Sequence, residues 1–104
     1  MKLYTEALVT PAIKNIVGHK IFKAIFVKKN GEVREMNCRL EVKKHLKGGR
    51  DANDKKRYLT VYDLKSKGYR NINLNTIIEI RCGGNIIKRF TGNTGNIYVL
   101  AKEE

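Results

Sequence analysis

Tryptophan is absent, proline and serine occur once each, and only 10 acidic residues face 22 Lys and Arg. The shortage of catalytic side chains argues against an enzyme. Ser66, the sole serine, lies between two lysines, and neither His19 nor His45 sits in a nucleophile or base motif. Glu32 and Glu35 fall on opposite faces of an expected strand, so they do not form a carboxylate pair. With two cysteines, no C-x-x-C and no histidine at ligand spacing, no metal site is expected. Cys38 and Cys82 lie in apolar runs and read as buried free thiols of a reducing compartment. No apolar run reaches the roughly 18 to 20 residues of a membrane helix. Ala7-Leu8-Val9 is too short for a signal-peptide core. These absences point to a soluble cytoplasmic protein without cofactor.

The chain does hold alternating strand patterns and excess positive charge. Its 104 residues suit one domain, 1–104. A short helix is expected over about 10–18, with Thr10 as cap, Pro11 in the first turn and Gly18 as left-handed stop. Ile13, Ile16 and Val17 would share its buried face, covering one end of a barrel. Residues 20–28 are apolar on both faces and should form a central strand. Asn30-Gly31 suits a type I′ turn. Beyond it Met36, Cys38 and Leu40 alternate inward, against Glu35, Asn37 and Arg39 outward. Further strands are expected over 57–62, 69–74, 77–82, 86–90 and 97–101, joined by short polar or glycine turns. One brief helix and many short strands indicate a mainly β, small antiparallel barrel or sandwich.

Several motifs in order strengthen that reading. Phe26-Val27-Lys28-Lys29-Asn30-Gly31-Glu32-Val33-Arg34 matches an F-x-K-x-[DN]-G-x-x-R hairpin. Lys47-Gly48-Gly49, Val61-Tyr62-Asp63-Leu64, Lys67-Gly68-Tyr69-Arg70-Asn71-Ile72-Asn73 and Ile77-Ile78 follow. This set resembles a family of small phage and phage-derived bacterial proteins with an SH3-like, Sm-like barrel. The resemblance covers Phe26 to Gly84. It implies the fold and a phage origin, and it carries over no catalytic residue.

The formal charge of +12 repels itself in a compact chain and so points to an anionic partner. Residues 43–57 hold seven cations (Lys43, Lys44, Lys47, Arg50, Lys55, Lys56 and Arg57) against two aspartates. So long a loop in so small a domain is often functional. Lys47-Gly48-Gly49 lacks the pattern of a nucleotide-binding loop and reads as a flexible turn. Clustered cations that reach phosphate, with Arg70 and the stacking-competent Tyr69 nearby, make a nucleic-acid footprint. The same features serve two rivals: a solvated lysine-rich loop, and tyrosines that merely half-bury their rings in a sheet. The expected function is a regulatory nucleic-acid-binding protein. Alternatives are an inhibitor docking on an acidic host protein, or a sponge for an anionic nucleotide signal held between subunits of a homo-oligomer. No basic amphipathic helix with bulky anchors suggests a membrane partner.

Overall fold

The computed structural model describes residues 2–40, 58–93 and 95–102. The chain forms β1 (Lys2–Thr5), α1 (Glu6–Val17), β2 (Phe22–Val27), β3 (Val33–Arg39), β4 (Tyr58–Asp63), β5 (Gly68–Asn73), β6 (Ile77–Cys82), β7 (Asn85–Gly92) and β8 (Gly95–Lys102). A 3-10 turn, Leu74–Thr76, links β5 to β6. All strands join one antiparallel sheet in the order β1-β8-β7-β6-β2-β3-β4-β5. The architecture is the expected mainly β one, with a single helix among the described residues.

The sheet rolls around one core. Ala24 and Phe22 of β2, Cys38 and Met36 of β3, Val61 and Leu59 of β4, Ile72 of β5, Ile80 of β6, Ile87 of β7 and Tyr98 of β8 belong to one buried cluster. β2 lies between β6 and β3 as a central strand, with Phe22 and Ala24 buried and Lys23, Ile25, Phe26 and Val27 half-buried. A bulge between Ile25 and Phe26 shifts its register against β6, which bends the strand locally.

Two local expectations are corrected. The helix starts at Glu6 rather than near Thr10, with Thr5 at the cap position and Pro11 inside. Pairing of Lys2–Thr5 with β8 fixes the chain up to Thr5, so the helix must start there. The longer helix brings Val9 onto the buried face with Ile13 and Val17. Burying Val9 contributes about 1.5–3 kcal/mol, which offsets much of the roughly 3 kcal/mol that an interior proline costs. Gly18 does take the positive-φ stop, and its N–H donates to the Lys14 carbonyl.

The β2–β3 connection is the second correction. Gly31 has positive φ but Asn30 does not, so the turn is not type I′. The Gly31 N–H donates to the Lys28 carbonyl at 2.9 Å, and the Asn30 side chain accepts from the Glu32 N–H at 3.0 Å. Asn30 thus spends its amide oxygen on a local turn and leaves the positive φ to glycine. The type I′ signature occurs instead at Gly83-Gly84, both with positive φ, between the paired Cys82 and Asn85.

Cys38 and Cys82 are both free and buried. Their strands are separated by β2, so they are not cross-strand neighbours. No helix among the described residues is long and apolar enough to cross a membrane.

Candidate functional site

Of the nine residues singled out for binding, Lys43, Lys44, Lys47, Arg50, Lys55, Lys56 and Arg57 lie outside the described residues. Tyr69 and Arg70 lie on β5, at the edge of the sheet. Neighbours along a strand point to opposite faces, so these two do different things.

Tyr69 stands on the outer face. It pairs in register with Tyr62, which in turn pairs with Arg39. One cross-strand row therefore runs Arg39–Tyr62–Tyr69 over β3, β4 and β5. The two rings meet edge to face, with centroids 5.1 Å apart and planes at 72°, a favoured aromatic geometry. Tyr69 remains 46% exposed. The neighbouring rows, Thr60 opposite Asn71 and Tyr58 opposite Asn73, continue this face with polar groups. Thr60 donates to Asn71 at 2.6 Å.

Arg70 takes the other face and turns toward Asp63. Asp63 closes the inward series Leu59, Val61, Asp63 of β4 and is 1% exposed. One carboxylate oxygen accepts from the N–H groups of Lys65 at 3.0 Å and Ser66 at 3.4 Å. The other accepts from the Ser66 hydroxyl at 2.9 Å, Arg70 Nε at 3.3 Å and Arg34 Nη2 at 3.5 Å. The Asp63 carbonyl also accepts from Lys67 N–H at 2.8 Å, and Lys67 adopts φ +56°. This acid thus ties together a turn that carries Lys65 and Lys67. Burial pushes its carboxyl pKa upward, but the Ser66 hydroxyl, the two backbone N–H groups and Arg34 outweigh burial and hold it below the ordinary value. Beside it, burial first and the Asp63 charge second push the Cys38 thiol up to about 12, so this thiol is neutral and unreactive in the fold.

Sequence reasoning did not foresee Asp63 as the shared partner of Arg34 and Arg70. The available signal was an acid at an inward position of a strand in a chain short of acids. Of the lysines in or beside the β2–β3 and β4–β5 turns, Lys28 is paired with Glu32 at 3.8 Å, while Lys29, Lys65 and Lys67 are exposed. Among the described residues no group of three His, Cys, Asp or Glu could hold a metal ion.

A family model named WYL_2, described as an Sm-like SH3 β-barrel fold, matches residues 12–78. That span runs from the middle of α1 to the start of β6 and contains both the tyrosine row and the Asp63 turn. No curated protein and no solved structure matches the chain.

Proposed function

The chain belongs to the WYL_2 family of Sm-like SH3 β-barrels, and we propose that it is a nucleic-acid-binding module that acts by binding rather than by catalysis. The observation that carries this reading is the Arg39–Tyr62–Tyr69 row on the outer face of β3, β4 and β5. An exposed aromatic ring beside a guanidinium gives unpaired bases a π surface and their backbone a cation. The ligand favoured is therefore a single strand. Residues 43–57, with five excess positive charges, connect β3 to β4, the two strands that carry Arg39 and Tyr62. They supply the phosphate contacts that a stacking row alone lacks. In this proposal the protein is a regulatory factor of phage or phage-derived origin, working in the host cytoplasm.

Fluorescence anisotropy with mixed-sequence single-stranded and duplex oligonucleotides at 50 and 200 mM salt tests it. About five phosphate contacts on a single strand give a salt slope near −3.5, hence roughly a 100-fold loss of affinity between these salts. Single strands should bind more tightly than duplexes of equal charge. Absence of binding at 50 mM, or affinity indifferent to salt, overturns the reading. Nuclease-resistant capture of a stoichiometric acidic protein, with no oligonucleotide bound, would place the positive charge at a protein interface instead.

A further inference from the structure

We infer that the Asp63 turn is a phosphate-gripping site, in which the buried carboxylate is a positioning residue for two guanidiniums, Arg34 and Arg70. The ligand class, a backbone phosphodiester of a single strand, rests on the nucleic-acid reading above.

The charge balance is the first argument. One guanidinium neutralises one buried carboxylate. Asp63 holds two, Arg34 from β3 and Arg70 from β5, one on each side of its own strand. Lys65 of the same turn adds a third cation. The cluster therefore keeps surplus positive charge, which a purely structural ion pair does not require.

Donor accounting is the second. Each guanidinium has five N–H donors. Arg70 uses Nε on Asp63 and Nη2 on the Ser66 hydroxyl, and Arg34 uses Nη2 on Asp63. The remaining donors have no partner among the described residues. Their side chains are 34% and 48% exposed, against 1% for Asp63. The acid is 1% exposed and engaged by five donors, and the two guanidiniums together outweigh its single negative charge. The guanidiniums are held from behind and open in front. Such a fork matches two phosphate oxygens, and support by a second group keeps it oriented before the ligand arrives.

The third argument is space. Among the described residues β3 pairs with β4 at Cys38 and Arg39, near its C-terminal end. Its first residues therefore leave an open edge beside the Asp63 turn, crossed by the Leu64 N–H donating to the Asn37 carbonyl at 3.1 Å. A groove of about 530 Å³ follows that edge, with Arg34, Lys23 and Lys65 on its walls. That volume lies within the usual range of small-ligand sites. Asp63 and Glu35 also line it, Asp63 held by Arg34 and Glu35 paired with Lys23 at 3.7 Å, while Arg70 reaches Asp63 from the β5 side, outside the groove's lining.

The test measures binding of a fluorescein-labelled single-stranded dT12 probe to Arg34→Lys, Arg70→Lys and Asp63→Asn. The two lysine variants keep the net charge but lose the fork, and each should weaken binding by about five- to tenfold. Asp63→Asn makes the protein more positive by one unit, yet should also weaken binding by releasing the forks. Lysine variants equal to the wild type, with Asp63→Asn binding more tightly, show that bulk charge suffices; the site then fails while the nucleic-acid reading stands. If Asp63→Asn does not fold, the lysine variants decide the matter alone. If the wild-type protein does not bind dT12, the nucleic-acid reading fails. The grip is then judged from the Arg34 and Arg70 side-chain N–H resonances during titration with inorganic pyrophosphate. Saturable shifts at both residues uphold it, and their absence sinks it.

Discussion

The Tyr98 hydroxyl donates to the Leu74 carbonyl at 2.9 Å, inside the core. Tyr98 lies on β8, the second strand in the sheet order, and Leu74 follows β5, the last. The bond therefore spans the rolled sheet from one margin to the other. Asn96 reinforces the junction by donating to both Glu6 of α1 and Asn75.

Replacing Tyr98 by Phe keeps the ring and leaves the buried Leu74 carbonyl without its donor. The expected loss is about 1–3 kcal/mol. Urea unfolding should show a lower midpoint with an unchanged slope; a midpoint equal to that of the wild type contradicts a closing role for this bond.

Asp63 makes stability depend on acid. Its pKa is held below the ordinary carboxylate value in the fold. The folded state therefore binds its proton less readily than the unfolded state does. The stabilisation is complete above the unfolded pKa and is lost as pH falls through the folded one. Unfolding free energy measured from pH 6 down to pH 2 should drop more steeply for the wild type than for Asp63→Asn. Parallel curves would remove Asp63 from the acid response.

Cys38 acts at the other end of the scale. Its folded pKa is raised to about 12 from an ordinary 9.0, by burial first and by Asp63 second. Its contribution is therefore intact below about pH 9 and is lost as pH rises from there toward 12. At pH 8 a thiol reagent should leave Cys38 unmodified in the native protein and label it in guanidinium chloride. Rapid native labelling contradicts its burial.

Tyr69→Ala separates binding from folding. Tyr69 is 46% exposed, and loss of its edge contact with Tyr62 should cost about 0.5–1.5 kcal/mol of stability. Oligonucleotide affinity should fall by about 1–3 kcal/mol if a base stacks there. An unchanged affinity in anisotropy measurements removes Tyr69 from the interface.

Gly84 takes φ +89° with open space at its Cβ position. The penalty of Gly84→Ala is thus one of backbone conformation rather than collision, about 1–2 kcal/mol. It should appear as a lower thermal midpoint with oligonucleotide binding unchanged, because this turn is remote from β4 and β5 in the sheet order.

What the sequence determined about this protein is what neighbouring residues decide between themselves. Alternation made Met36 and Cys38 inward and Asn37 and Arg39 outward. Gly18 marked the helix stop, and short polar turns marked the hairpins. The positive charge and its concentration in 43–57 were also plain. Tertiary structure alone decided pairings between distant segments. The β1–β8 pairing fixed where α1 begins, and the β2–β6 pairing set the centre of the sheet. Asp63 lies 29 residues from Arg34 along the chain, and only the order β3-β4-β5 places it between Arg34 and Arg70. The same order aligns Arg39, Tyr62 and Tyr69 into one row. Local patterns report the preferences of a single strand; which strands become neighbours depends on burying every apolar face at once, and that is a property of the whole chain.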